Sequence, residues 1–159
     1  MRFSIKTGFS FGLTSGIITT LGLIVGLHAG THSKIVVVGG ILTIAIADAF
    51  SDALGIHVSQ EFQGRHSTRS IWEAAVATFL SKFVFSLTFI IPILFFELAK
   101  AILISALWGL SILSIFSFII AKQREEENLW KTVIEHLVVG LAVILITHLV
   151  GDWIRTVLS

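Results

Sequence analysis

The sequence predicts an all-α membrane protein with five transmembrane helices. Hydrophobic residues make up 55% of the 159 residues and charged residues only 13%, and the mean hydropathy is +0.95. A soluble domain of this size needs far less apolar surface. Five apolar runs each reach about 20 residues or more, the length at which a helix crosses roughly 30 Å of hydrocarbon. We therefore expect an integral membrane protein in contact with a lipid bilayer.

The predicted spans form one transmembrane domain of residues 1–159 and cover residues 8–28, 35–60, 75–96, 101–121 and 133–157. The first run follows Arg2 and Lys6 as in a signal peptide, but it continues past Leu27 without a convincing cleavage site. We therefore interpret it as a retained span. Residues 97–100 alone separate the third and fourth spans, which predicts a tight hairpin. Pro92 should bend the third span or loosen its last turns.

Lysine and arginine positions predict the orientation. With a cytoplasmic N-terminus and an outer C-terminus, seven of these residues lie on the cytoplasmic side and three outside, as the positive-inside rule requires. Lys82 lies inside the third predicted span, and we expect its ammonium to extend to the nearby cytoplasmic interface. The expected location is the cell membrane of a prokaryote.

Composition also excludes several classes of function. The chain has no cysteine, which excludes disulfides, thiolate metal ligands and thiol redox switching. Its net charge of +1 lacks the concentrated basic surface that nucleic acids require, so no nucleic-acid partner is expected.

Two carboxylates near the middle of the second span are the main candidates for function. Asp48 and Asp52 are four residues apart and share one helix face. Each would cost roughly 2.5–3.5 kcal/mol if it faced lipid at the bilayer centre. Two like charges one turn apart also repel and require a counter-charge. The pair is expected to bind a cation, and the alternative is a polar staple bonded to serine or threonine of a neighbouring helix.

Further polar residues extend to other membrane depths. Ser59 continues the aspartate stripe, and His57 and Glu61 form a second four-spaced pair nearer the cytoplasm. His148 and Asp152 repeat the spacing near the outer end of the fifth span, where a structural pair is expected. Carboxylate and imidazole groups at several depths suit a cation that loses its water in steps, or a proton relay. The remaining acidic cluster is expected to be a solvated loop and comprises Glu125, Glu126 and Glu127.

Glycines repeat every four residues in the first span. Two rows are present, and they comprise Gly8, Gly12 and Gly16, followed by Gly22, Gly26 and Gly30. Such rows allow helix backbones to approach closely in lipid. The second span is also rich in small residues, which are Gly39, Gly40, Ala45, Ala49, Ala53 and Gly55. We therefore predict that the first two spans pack together or against a second copy. Because the first row has no comparably small partner elsewhere in the chain, we expect a homodimer built through these spans.

Two segments of these spans resemble a known family. Residues 16–26, GIITTLGLIVG, resemble the first-helix signature of the vacuolar iron transporter family, and residues 49–55, AFSDALG, with Ser59 and Glu61, are similar to its second-helix signature. The resemblance implies a dimeric transporter whose metal path runs between the first two helices of both subunits. It would move Fe²⁺ or Mn²⁺ out of the cytosol in exchange for protons, with no permanently bound cofactor.

The residues assigned to that path follow from the resemblance and the polar stripe together. The predicted metal ligands are Asp48, Asp52, His57 and Glu61, and the predicted pore-lining residues are Ser15, Thr19 and Ser59. The family usually has aspartate at the position of Ser15, methionine at Asp52 and glutamate at Ile56. A hard carboxylate thus replaces a soft thioether, and oxygen and imidazole ligands suit Mn²⁺, Fe²⁺, Zn²⁺ and Mg²⁺ alike. Residues 63–73 leave no room for the glutamate-rich domain of some members.

Two other functions compete with transport. An intramembrane metalloenzyme could use His and Asp at helical spacing, but no HExxH-type motif is present, so no enzyme is expected. A non-transporting membrane subunit could use the glycine faces for assembly alone.

Overall fold

The computed structural model describes residues 2–125 and 128–158, and within these ranges all regular secondary structure is helical. The helices are α1 (Phe3–Thr31), α2 (Lys34–Gln63), α3 (Thr68–Thr88), α4 (Ile90–Phe95), α5 (Leu98–Gln123) and α6 (Leu129–Leu158). Among the described residues, five stretches are long and apolar enough to cross a membrane, with α3 and α4 together forming the third, Thr68–Phe95. The all-α fold with five spans is confirmed. The orientation of the termini and the single domain stay predictions.

The observed helices extend beyond the predicted spans. Four predicted spans lie wholly within their helices, whereas the third begins at Thr68 instead of residue 75. Ser67 caps this helix, because its side chain accepts a hydrogen bond of 3.3 Å from the backbone N–H of Ser70. Hydropathy detects only the apolar part of a helix, and the first turns of α3 are polar. The earlier start places Lys82 near the middle of its span.

Pro92 interrupts the third span as predicted. The ring of a proline clashes with the carbonyl four residues earlier, and α3 ends at that residue, Thr88. The backbone N–H of Phe89 bonds instead to the carbonyl of Ser86 at 3.2 Å, and the chain resumes as α4. Only residues 96–97 connect α4 with α5, which confirms the tight connection between the third and fourth spans.

The contacts group the chain into two compact units. The first comprises Met1–Thr20 and Gly39–Ile91. In it the first glycine row of α1 lies against α3: a Cβ atom added to Gly8 would collide with the backbone of Ala74, and one added to Gly12 with the carbonyl of Thr78. The Thr78 hydroxyl donates a 3.2 Å hydrogen bond to the carbonyl of Gly8. The row therefore packs inside the protomer.

This packing corrects the prediction that the glycine row of the first span faces the second span or another subunit. The partner face of the row lies on α3, where Ala74, Thr78 and Ser81 meet it. The late predicted start of the third span left Ala74 outside it, and the many phenylalanines of that span hid the small face.

The second unit comprises Leu21–Val38 and Pro92–Ser159. Here the second glycine row of α1 lies against α6. A Cβ atom on Gly22 would come within 2.8 Å of Val143, and one on Gly26 within 3.3 Å of the carbonyl of Thr147. Gly151 of α6 fits closely against the backbone of Gly26 in turn. Both rows thus serve contacts within one chain.

A different small-residue face is exposed on α2. Six small residues at four-residue spacing form this face, which we name the α2 stripe: Gly39, Thr43, Ala47, Ser51, Gly55 and Ser59. A Cβ atom added to Gly39 or Gly55 would meet no atom of the described residues within 4 Å. The large side chains beside the stripe, Phe50 and Leu54 among them, are also exposed. In the protomer, α2 therefore presents a small-residue face that is open to a neighbour.

Candidate metal site

The first unit brings four polar side chains together near the middle of their spans. Lys82 of α3 lies between Asp48 and Asp52 of α2, and its Nζ atom is 2.5 Å from Oδ2 of each. It also donates a 2.9 Å hydrogen bond to Oγ of Ser15 in α1. Ser15 in turn donates to Oδ2 of Asp52 at 2.6 Å. We name these four residues the ionic cluster.

The three charged groups of the ionic cluster differ in accessibility. The Lys82 side chain is 0% exposed, whereas the side chains of Asp48 and Asp52 are 29% and 20% exposed. Oδ2 of Asp48 accepts no well-directed hydrogen bond from the described residues, so its contact with the ammonium is an ion pair alone. The carboxylates therefore lie at the edge of the cluster and the ammonium lies behind them.

The position of Lys82 contradicts its predicted extension to the cytoplasmic interface. It lies fourteen residues after Thr68, about 21 Å along the helix axis at 1.5 Å per residue, which is beyond the reach of a lysine side chain. Its ammonium supplies the counter-charge that the two aspartates require. A lysine and an unbalanced acid pair in neighbouring spans could have predicted this ion pair from the sequence. A third span that starts at residue 75, however, places Lys82 too close to the cytoplasmic end.

The other two predicted ligands lie apart from the ionic cluster. Nε2 of His57 is 4.0 Å from Oε2 of Glu61, whose side chain is 70% exposed. The His57 ring packs on Trp72, with ring centroids 4.6 Å apart. Across residues 2–125 and 128–158, no three His, Cys, Asp or Glu side chains converge into one metal-binding group. One protomer thus forms two separate pairs rather than a four-ligand site.

The predicted pore-lining residues have three different environments. Ser15 belongs to the ionic cluster, whereas the Thr19 hydroxyl donates to the carbonyl of Ser15 at 2.9 Å within its own helix. Ser59 is exposed on the α2 stripe. Only Ser15 therefore contacts a predicted metal ligand, and the pore-lining assignment of all three stays a prediction.

The Glu73 carboxylate is already bound by basic side chains and a serine hydroxyl. Glu73 is held by Arg2 and Arg69, and Ser4 donates a 2.8 Å hydrogen bond to its Oε2. In the acidic loop only Glu125 is described, with a φ of 55° just after α5, whereas Glu126 and Glu127 lie outside the described residues.

The second unit contains the predicted His148–Asp152 pair. Nε2 of His148 is 3.4 Å from Oδ2 of Asp152, and Arg155 contacts Oδ1 of the same carboxylate at 3.1 Å. Arg155 also lies 3.2 Å from Nε2 of His32, whose ring centroid is 5.1 Å from that of His28. An arginine already balances this carboxylate, which agrees with the structural interpretation of the pair.

Comparison with known proteins identifies a family from residues 60–152 of the chain. The model of the VIT family matches residues 60–152, more than half of the chain. This segment includes Glu61 and Lys82 but not Asp48, Asp52 or the two segments on which the resemblance was based. No curated protein is significantly similar to the chain. The match therefore identifies the family without testing the ligand assignment.

Proposed function

Because the chain belongs to the VIT family, whose members transport metal ions across membranes, we propose that it moves Fe²⁺ or Mn²⁺ out of the cytosol in exchange for protons. The five spans make it an integral membrane protein, and the cell membrane of a prokaryote is the proposed location. Members of this family are transporters rather than enzymes.

The ionic cluster is the observation that carries this proposal. Two carboxylates stand near the middle of a membrane span, where ionisable groups are expensive and mark ion pathways. Their oxygens are hard ligands, which suit Mn²⁺ and Fe²⁺ among other divalent cations. A divalent cation would neutralise both carboxylates at once.

A homodimer would complete the coordination of the metal. The cluster offers two carboxylates and one hydroxyl, fewer ligands than a divalent ion with six oxygens requires. We propose that the α2 stripes of two protomers face each other across a two-fold axis, which brings both pairs of aspartates to one path. This interface replaces the first-span glycine row, which is occupied within the protomer.

Proton exchange is proposed from the charges of the cluster. The two carboxylates carry two negative charges and the Lys82 ammonium balances one of them. Because metal ligands must be deprotonated, we propose that a divalent ion binds here in exchange for a proton. The predicted orientation places His57 and Glu61 on the cytoplasmic side of the aspartates, which supports loading from the cytosol.

Metal flux into vesicles that contain the purified chain tests the function. We expect Mn²⁺ and Fe²⁺ uptake by the wild type and a roughly ten- to hundredfold loss in Asp52→Asn, since a contact with a charged group contributes about 1.5–3 kcal/mol. Asp152→Asn, which removes a carboxylate of the second unit, serves as the matched control and should retain flux. An absence of flux in the wild type would leave the alternative of a non-transporting membrane subunit.

A further inference from the structure

The structure suggests a role for Lys82 at the metal site, and this role rests on the proposed transport of metal at Asp48 and Asp52. Its ammonium holds the position between the two carboxylates, with Nζ 2.5 Å from each Oδ2. An ion that bridged the two carboxylates through these oxygens would take the place of the ammonium. We propose that Lys82 is a tethered competitor of the transported metal, which fills the site when no metal is bound and leaves it when metal binds.

The contacts of the ammonium make the two occupants mutually exclusive when the metal binds the same oxygens. A lysine ammonium has three N–H donors, and the Lys82 contacts are Asp48, Asp52 and Ser15. A metal on the two Oδ2 atoms requires at least two of these contacts to break. The charges exclude joint occupancy as well, because like charges a few ångströms apart repel strongly in a low-dielectric interior.

The burial of the three groups sets the direction of the exchange. The side chains of Asp48 and Asp52 are partly exposed and that of Lys82 is fully buried. Oδ2 of Asp48, the oxygen that faces the ammonium, is buried as well, so a metal would contact it only after the ammonium withdraws. The four-carbon stem of lysine carries a compact charge on rotatable bonds, which allows this movement.

A tethered competitor has a consequence for affinity. The apparent dissociation constant rises in inverse proportion to the fraction of time in which the site is free. An ammonium that fills the site about nine-tenths of the time therefore weakens metal binding about tenfold. Transport needs binding that is tight enough for loading and weak enough for release. Lys82 would thus set the release of metal.

Binding of Mn²⁺ to the purified full-length chain tests the proposal. In Lys82→Met, we expect the Mn²⁺ dissociation constant to fall about tenfold or more, the Mn²⁺-induced rise in Tm to exceed that of the wild type, and the maximal flux in vesicles to decrease. A structural ion pair predicts a lower Tm that Mn²⁺ does not restore, and an unchanged or weaker affinity; that result would overturn the proposal. Sodium chloride at matched ionic strength controls for screening.

Two further variants keep the test decisive. Lys34→Met removes a lysine that donates to the carbonyls of Leu94 and Phe96, away from the cluster, and should bind Mn²⁺ as the wild type does. If Lys82→Met does not fold, Lys82→Arg retains the charge, and its planar fork holds carboxylates more firmly. Mn²⁺ binding by Lys82→Arg should then be weaker than in the wild type, and wild-type binding would contradict a competitor.

The outcomes separate this proposal from the function on which it rests. If the wild type binds Mn²⁺, Asp52→Asn does not, and both Lys82 variants match the wild type, the metal site stands and the competitor is rejected. If neither the wild type nor Lys82→Met binds Mn²⁺, both proposals are rejected.

Discussion

At the scale of the residue, one ammonium lies between two carboxylates near the middle of the spans. Lys82 is fully buried, and Asp48 and Asp52 are only partly exposed. Such ion pairs rarely add stability over apolar side chains of the same size. Loss of one partner, however, costs about 3–5 kcal/mol because the remaining charges stay buried. A group of this kind is better suited to exchanging cations than to holding helices together.

Proton release on metal binding is the prediction that belongs to this scale. Calorimetric titration of the wild type with Mn²⁺ in buffers of different ionisation enthalpy should show about one proton released for each metal bound. Asp52→Asn removes one negative charge, so the ammonium alone balances the remaining carboxylate. Both the affinity and the proton release should then decrease. A wild type that binds Mn²⁺ without releasing protons would rule out the exchange.

The control for this titration is Asp152→Asn. Its carboxylate is paired with Arg155 at 3.1 Å in the second unit, so its removal should leave Mn²⁺ binding and proton release unchanged.

At the scale of the element, α1 is shaped by the backbone of its neighbours. Gly12 meets Thr78 and Ser81 of α3 so closely that even a methyl group would overlap the Thr78 carbonyl. A backbone carbonyl cannot move aside as a side chain can, so the helices must separate to admit any larger residue. Close approach, rather than chain flexibility, explains this glycine.

Gly12→Ala should therefore destabilise the protomer by about 1–3 kcal/mol, the usual range for overpacking. Thermal unfolding in detergent measures the loss. Leu103→Ala is the control, because Leu103 is an exposed side chain of α5 outside the α2 stripe. Equal Tm values for the two variants would contradict the tight contact between α1 and α3.

At the scale of the whole molecule, the described residues of the protomer leave the α2 stripe open. The α2 stripe lies beside the aspartates, since Ala47 and Ser51 immediately precede Asp48 and Asp52. Small residues at this spacing allow helices to approach closely in lipid. A second copy would cover this face and double the number of carboxylates along the path.

Gly55→Leu should separate the proposed dimer without unfolding the protomer. The leucine side chain would occupy the open side of α2 and prevent close approach of a second helix. Light scattering in detergent should report half the protein mass of the wild type, with an unchanged helical circular dichroism signal. Leu103→Ala, at an exposed position of α5, is the control and should remain dimeric. A dimeric Gly55→Leu protein would move the interface elsewhere.

The direction of transport is tested in cells. If His57 and Glu61 lie on the loading side, cells that express the chain should tolerate excess Mn²⁺ better and contain less of it. Asp52→Asn, expressed to the same level, should give no such protection. Greater metal accumulation in cells with the wild type would reverse the assignment.

Properties that depend on local composition were determined by the sequence. Five spans follow from hydropathy, and the break before Pro92 follows from a ring that cannot fit a continuous helix. The need of Asp48 and Asp52 for a counter-charge also follows, since like charges one turn apart repel.

The identity of that counter-charge was decided by the tertiary structure. Ser15, Asp52 and Lys82 are far apart in the chain, and their meeting depends on the lateral packing and axial register of three helices. Apolar composition determines that a helix spans the bilayer but carries little information about its register. The same reason explains the glycine row, whose partner Ala74 belongs to the early turns of a helix that begins at Thr68. A cross-helix contact depends on where both helices start, and hydropathy determines those points least well.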